Sequence, residues 1–324
     1  MMIVEIIQEE TMYKRLTVLF LCFMTAAGSL GAQSADGSGG IASDRSLSLT
    51  ISSLPEAQVS FVQGFTFPFL RGSGPLTSGN NIRTTLTAEV TPISVNGIVQ
   101  GTWTPIAFLQ VITGAELGSG WNIRLFGSDV RGIGINRPKA DKTAEAAGSP
   151  FDGVQWSAYL GGVFQFDMAA VFPGDWNHVV FRAYQEGRYW GYSAASATDS
   201  WFMLNDDGEN RNGFNYYGSY LIGYQMPIFL NTVGLMAEMD KYLYDTPNRE
   251  LWGDGLGHWT LSALLNFTVT DWLDAALITQ FESRRNYIEA NAKDLFYQYR
   301  HIDNDRRRRL AFYRVAAILS FTLP

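Results

Sequence analysis

Three histidines, His178, His258 and His301, are the residues best suited to proton transfer, because imidazole titrates nearest neutral pH. His258 follows Asp254, and His301 precedes Asp303 and Asp305. An aspartate that orients an imidazole can make it a base toward water. Asp beside His in a polar stretch also arises by chance. Ser262 lies four residues beyond His258 with the same parity. In an extended strand that spacing is about 13 Å, too far for direct contact. The acid-rich stretch NDDGENRNG, Asn205 to Gly213, is dense in oxygen but lacks the spacing and terminal Glu of an EF-hand loop. No metal is assigned to it. The run Arg306 to Arg309 reads as a solvated loop end, or as a contact for anionic headgroups or sugars. The residues thus give no complete catalytic set. The expectation is no enzyme, no catalytic residue, no cofactor and no metal.

The elements that would position these groups show themselves by alternation. From Trp259 to Val269 the odd positions are all apolar and the even ones mostly polar. In a strand the two sets face opposite ways. From Val179 the odd set Val179, Phe181, Ala183, Gln185, Gly187 and Tyr189 opposes Arg182, Tyr184, Glu186 and Arg188. Leu273, Ala275, Leu277, Thr279 and Phe281 oppose Asp274, Gln280, Glu282, Arg284 and Asn286. The last run sets Ala311, Tyr313, Val315, Ala317, Leu319, Phe321 and Leu323 against Arg314, Ser320 and Thr322. Six more stretches begin near Val59, Thr84, Ala107, Val154, Phe214 and Phe229. Each is long enough to cross a bilayer obliquely, which takes about 9 to 11 residues.

The count predicts ten antiparallel strands in one closed all-β transmembrane barrel over residues 57–324, with twelve or eight as alternatives. Two places leave the count open. Apolar parity changes at Pro92, so Thr84 to Trp103 is either one bulged strand or a hairpin. The segment Ser46 to Ser52, SLSLTIS, reads as a further strand within an otherwise flexible leader over 33–56.

Closure has a physical cause. In hydrocarbon every backbone N–H and C=O must be bonded within the protein, so a membrane sheet has no free edge. The connections alternate as such a barrel requires. Short ones hold Trp103-Thr104-Pro105, Phe172 to Trp176, Met226-Pro227 and Thr270-Asp271-Trp272; long ones run near 70–82, 120–152, 192–212, 244–257 and 288–309. The chain should enter and leave at the short-turn side. Trp103, Trp176, Trp190, Trp259 and Trp272 near strand ends fit an interfacial aromatic belt.

Composition agrees with a wall that faces lipid. Charged residues are 17% and aromatics 14% of the 324 residues, with 32 Gly and 15 Tyr. About a quarter charged is usual in soluble domains. The net charge of -7 gives no support to nucleic-acid binding. Lys14 and Arg15 precede the apolar run Leu16 to Ala27, which small residues follow, as in an export signal over 1–32. Ala32 and Gly28 are alternative cleavage points, and a start at Met12 would make residues 1–11 an upstream extension. The only cysteine, Cys22, falls inside that run, so the exported chain would lack thiols.

On the signal, the thiol-free remainder, the WTP and TDW turns and the final strand LAFYRVAAILSFTLP, the chain resembles bacterial outer-membrane β-barrel proteins. The resemblance implies the outer membrane as location, with membrane lipids and the outer-membrane assembly machinery as partners. Such proteins usually end in an aromatic residue, whereas this chain ends Phe321-Thr322-Leu323-Pro324. Outer-membrane proteases of ten strands resemble it in size and use Asp and His near the outer rim. Barrel lipases place Ser and His on strand walls.

The inward parity carries Glu89, Glu116, Arg182, Glu186, Arg188, Glu238, Asp240, Glu282, Arg284 and Arg314. Both signs are present, so the residues read as a paired network filling the interior or as the lining of a narrow polar channel. The resulting expectation is a structural or small-solute channel role, with a small polar solute as cargo. A barrel hydrolase, protease or lipid-modifying, and a surface adhesin are the alternatives.

Overall fold

The computed structural model describes residues 40–54, 56–125, 128–147, 150–204, 206, 208–243 and 249–323. The export signal over 1–32 lies outside them. In chain order the strands are β1 (Ala42–Ser52), β2 (Ala57–Pro68), β3 (Asn81–Thr91), β4 (Ser94–Ile106), β5 (Leu109–Gly120), β6 (Ile123–Leu125), β7 (Ser128–Val130), β8 (Ile133–Pro138) and β9 (Ala144–Ala147). They continue as β10 (Gln155–Asp167), β11 (His178–Tyr192), β12 (Ser200–Met203), β13 (Gly213–Gln225), β14 (Leu230–Tyr242), β15 (His258–Thr270), β16 (Leu273–Arg285) and β17 (Arg308–Leu323).

Twelve of these close one antiparallel barrel in the order β1-β17-β16-β15-β14-β13-β11-β10-β5-β4-β3-β2. The ten-strand expectation is therefore corrected to twelve, and both added strands come from the places where the sequence was ambiguous. Thr84 to Trp103 is a hairpin: β3 and β4 pair from Thr91↔Ser94 outward, with Pro92 and Ile93 in the turn. Pro92 sits where no ladder donor is needed, and the two-residue turn sets Thr91 opposite Ser94 on one face, which is why parity changes there. SLSLTIS lies within β1, which pairs with β2 on one side and β17 on the other, and so closes the cylinder. Its Ser46, Ser48, Thr50 and Ser52 alternate with Leu47, Leu49 and Ile51; Ser48 is buried while Leu49 and Ile51 are exposed.

The same inversion runs round the barrel. Leu86, Val99, Leu160, Phe181, Leu235, Leu261 and Leu277 are exposed on the outer wall, while Glu89, Gln100, Arg182, Glu186, Glu238 and Gln280 are buried. An apolar outside and a polar inside require a hydrocarbon solvent, which gives this chain the architecture of an outer-membrane barrel. Ring pairs gird both ends. Near the chain termini Trp272 stacks on Phe321 and Phe229 packs on Phe267, with centroids 6.1 and 5.4 Å apart. At the opposite end Trp156 stacks on Tyr189 at 5.2 Å and Tyr189 meets Phe214 edge-on at 5.0 Å. Trp190 departs from the expected belt. It points inward and packs edge-on against Trp201.

β1 begins and β17 ends at the same rim, joined by the pair Arg45↔Leu323. That rim carries the connections 107–108, 226–229 and 271–272, together with 168–177 and the longer 69–80. The other end carries the tight links 53–56 and 92–93 and the four large loops 121–154, 193–212, 243–257 and 286–307. Loop 69–80 is thus on the side expected to hold only short turns. One further departure is at Tyr313, expected on the outer face with Ala311 and Val315. The register slips between Gln280↔Arg314 and Phe281↔Phe312, leaving Tyr313 as the extra residue of a bulge. A bulge reverses side-chain sense, so Tyr313 turns inward and is buried.

Candidate functional site: a packed lumen under a loop crown

Inside the barrel, side chains from consecutive strands pack along the wall. Ile112, Tyr159, Val163, Tyr184 and Tyr217, from β5, β10, β11 and β13, form one cluster. Leu264, Ala276, Ile278 and Ile318, from β15 to β17, form another, with Leu221 and Met236 packed on it. Inward glycines make room for the rings: a Cβ on Gly161 would lie 2.8 Å from a Tyr184 ring carbon, and one on Gly114 would collide with the Tyr159 hydroxyl. Ile278 and Gln280 are each 1% exposed and Val163 and Tyr217 each 2%. Each is screened from water by the side chains around it.

Most of the ten inward ionisable residues join networks here. Arg188 donates through Nε to Glu186 Oε1 at 2.6 Å, and through Nη1 to Glu116 Oε2 and Ser157 Oγ, both at 3.2 Å. Its guanidinium lies 4.3 Å from the centre of the Tyr159 ring, whose hydroxyl donates to Gln100 Oε1 at 3.1 Å. The Tyr184 hydroxyl donates to Glu186, and Tyr217 donates to Glu238 at 2.5 Å. On the far wall Arg284 Nε meets Glu282 Oε1 at 2.7 Å. Arg314 donates to Gln280 Oε1 at 2.7 Å and to Glu56, and Gln280 donates to Ser262 Oγ at 3.0 Å. Asp240 lies opposite His258 in the ladder. Glu89 and Arg182 differ from the others: both are buried, and neither has an ion-pair partner among the described residues.

The histidines find carboxylates other than those their spacing suggested. His258 Nε2 is 3.6 Å from Glu282 Oε2, while Asp254 is held by Arg211 at 3.4 Å. Ser262 is bonded to Gln280, consistent with its separation from His258. His178, at the short-turn rim, places Nδ1 2.6 Å from Asp167 Oδ2. His301 Nδ1 lies 2.7 Å from Glu289 Oε1, and the His301 backbone N–H donates to Glu289 Oε2 at 2.9 Å. Desolvation alone would raise the pKa of the Glu289 carboxyl, but these bonds and the His301 ring together hold it below the usual carboxylate range. Among the described residues His301 Nε2 has no partner, and the side chain is 39% exposed.

Above the lumen the four large loops are sewn into one crown. β12 pairs with β8, and β8 with β9, joining loops 193–212 and 121–154. Phe296 N–H donates to Lys142 O and Ile302 N–H to Leu251 O, both at 2.9 Å, binding loop 286–307 to its two neighbours. At the centre Glu209 receives Arg285 Nη1 at 2.5 Å and Arg300 Nη1 at 3.1 Å. Burial alone would raise the Glu209 pKa. Arg285, Arg300 and Arg211 outweigh it and hold the carboxyl below its ordinary value. Arg211 also lies 4.4 Å over the Tyr297 ring, beside Trp252 and Phe296. In the oxygen-rich stretch Asn205 to Gly213, Asn205 and Asp207 lie outside the described residues. Asp206 is used internally: its Oδ1 accepts from Met203 N–H at 3.1 Å and Gly208 N–H at 3.0 Å. In the basic run, Arg306 and Arg307 lie in the loop and Arg308 opens β17; all are exposed.

Sequence reasoning missed the three lumen tyrosines as a unit, together with Gln100, Glu56 and the crown residues Glu209, Arg211, Asp254, Arg285 and Arg300. Inward parity signals the tyrosines. The crown has no local signal, because its partners lie 76 and 91 residues apart.

Together, the closed twelve-strand wall and its aromatic girdles define a transmembrane β-barrel that resembles bacterial outer-membrane barrel proteins. No family model matches the chain, and no curated protein does. Among solved structures it matches the KdgM porin in complex with disordered oligogalacturonate, at 9% identity and TM-score 0.36, over 87% of this chain and 100% of that one. It also matches an active-site mutant of outer membrane phospholipase A from Escherichia coli, at 12% identity and TM-score 0.30, over 91% of this chain and 96% of that one. The calcium-bound outer membrane phospholipase dimer of Salmonella typhi matches at 12% identity and TM-score 0.23, with the same coverage. Two of these three are structures of a phospholipase. The expectation that this chain is not an enzyme is withdrawn.

Proposed function

We propose that the protein works at the outer end of its barrel rather than through it, as an outer-membrane hydrolase with His301 as general base. The dry packing of the lumen carries the first half of the reading. Ile278 and Gln280 on β16, Val163 on β10 and Tyr217 on β13 are all closed to water. Solute passage would require this interior and the crown above it to separate together. Activity then belongs to the crown, which faces outward because long loops mark the outer end of such barrels.

His301 supports the second half. Glu289 fixes its ring through Nδ1 and leaves Nε2 without a partner among the described residues. In the proposed step Nε2 takes a proton from water while the water oxygen attacks an ester or amide carbonyl. The imidazolium then returns the proton to the departing alcohol or amine.

Two measurements test the halves separately. Refolded protein, its folding shown by heat-modifiable gel mobility, should give no reproducible conductance step in planar bilayers; a stable step rejects the sealed lumen. Hydrolysis of p-nitrophenyl fatty-acid esters and of fluorogenic casein should fall by roughly 10²–10⁴-fold in His301→Gln. Unchanged activity in that variant, or none in the folded parent, rejects the hydrolase.

A further inference from the structure

Arg182 stands apart from the other inward arginines. Arg188 has Glu186 and Glu116, Arg314 has Glu56, Arg284 has Glu282, and Arg83 at the rim has Asp44. Arg182 is 8% exposed, yet among the described residues it makes no hydrogen bond and no ion pair. Its Nε is closed to water and unbonded. Its one contact is a distant one, the guanidinium carbon 6.0 Å from the centre of the Tyr184 ring.

Its surroundings explain the lack of a partner. Arg182 pairs in the ladder with Leu221 on β13, which belongs to the aliphatic cluster, and with Gln165 on β10. Gln165 turns its amide toward Ala107 O, 3.4 Å away, and is a neutral group in any case. The Tyr184 hydroxyl is committed to Glu186. The ladder neighbours of Arg182 thus offer its donors no anionic acceptor, and Asp167, two residues beyond Gln165 on β10, is taken by His178 and the Ala169 N–H. A buried cation in this state is costly, and the cost falls when a counter-ion enters. A planar fork of N–H groups suits two oxygens of one anion. Low polarity around the pair strengthens the attraction over its value in water.

We propose that Arg182 is the anchor of a binding site for a small free oxyanion, a phosphate or a carboxylate, inside the lumen. The anion reaches it from the rim of the chain termini, because Arg182 is four residues along β11 from His178, which lies at that rim. This site is independent of the outer-end chemistry proposed above.

The test is calorimetric titration of inorganic phosphate, and separately of acetate, into the refolded full-length barrel in zwitterionic micelles at low salt. The parent should take up one equivalent saturably, and its thermal midpoint should rise with added anion. In Arg182→Met and in the polar variant Arg182→Gln both effects should vanish, while the anion-free midpoint rises, since a lone buried charge is gone. Arg306→Gln with Arg307→Gln, exposed at the other end, should titrate like the parent. Binding that survives in the Arg182 variants overturns the proposal, as does a parent that binds neither probe. Repeating the titration in vesicles containing phosphatidylglycerol separates the sources: a site already filled by lipid headgroup would show no uptake there and overturn the free-anion assignment. Should one Arg182 variant fail to fold, the other and the parent's anion-dependent midpoint still decide.

Discussion

The two ends of the barrel use the same ion-pair chemistry in opposite settings. At the crown, Glu209 is wrapped by Arg285 and Arg300, whose side chains are 17% and 4% exposed. At the rim of the termini, Asp44 grips Arg83 with two short bonds, but the side chains are 44% and 23% exposed. The crown network joins three loops distant in sequence, through Glu209, Arg300 and Asp254, whereas the rim pair spans β2 to join β1 and β3, which backbone ladders already hold. The difference teaches that distance alone does not measure an ion pair. What matters is what water would do if the pair broke.

The largest expected effect follows directly. Glu209→Gln removes one charge and leaves Arg285 and Arg300 buried against a neutral amide. Breaking a buried pair in this way costs about 3–5 kcal/mol. The crown should loosen while the barrel persists. Chemical denaturation followed by tryptophan fluorescence should resolve an early step absent from the parent, reporting Trp201 and Trp252 in the crown. A single transition at the parent's midpoint would equate the crown with the rim and end the comparison.

A lumen substitution comes next. Ile278, 1% exposed in the aliphatic cluster, should cost about 2–5 kcal/mol as Ile278→Ala. Here the barrel transition itself should move, with no separate crown step. A near-zero shift would mean that the lumen is not packed.

The pH dependence sharpens the contrast. Glu209 has a folded pKa below its ordinary value of 4.5. Its stabilisation is therefore complete above about 4.5 and is lost as pH falls through the lower folded value. Crown fluorescence should stay level from neutral pH down to about 4.5 and change only below it. In Glu209→Gln that acid transition should disappear.

How much of this is legible in the sequence depends on how local the signal is. Strand parity is local, so the wall, its polar interior and ten of its strands can be read from steps of two. The missing strands are equally periodic. SLSLTIS alternates perfectly but has serines where lumen residues are usually larger, and Thr84 to Trp103 hides a two-residue turn that differs from a bulge only in what pairs with what. Tyr313 misleads for the same reason, since one inserted residue flips everything beyond it. Parity finds the ten lumen ions, but not their partners: Arg314 meets Glu56 across 258 positions of sequence. The histidine partners, Glu282 and Glu289, likewise follow from ladder register and loop folding, not from adjacency.

The smallest effect is expected at the rim. Arg83 donates to both oxygens of Asp44, at 2.7 and 2.6 Å, and also to Thr66 Oγ1 at 3.2 Å. With Asp44 open to water, its loss is largely repaid by hydration, and exposed pairs contribute about 0.2–1 kcal/mol. Asp44→Asn should therefore shift the denaturation midpoint by no more than that. Gly64 offers a way to break the pair without removing a charge. A Cβ there would come within 2.7 Å of Asp44 Oδ1 and would collide with Arg83 Nη2. Gly64→Ala must push the pair apart, and its effect should match that of Asp44→Asn and shrink in added salt, since surface charges are screened beyond about 10 Å at 0.1 M. A cost above about 2 kcal/mol for either variant would show that the rim pair is as well shielded as the crown, against what its exposure implies.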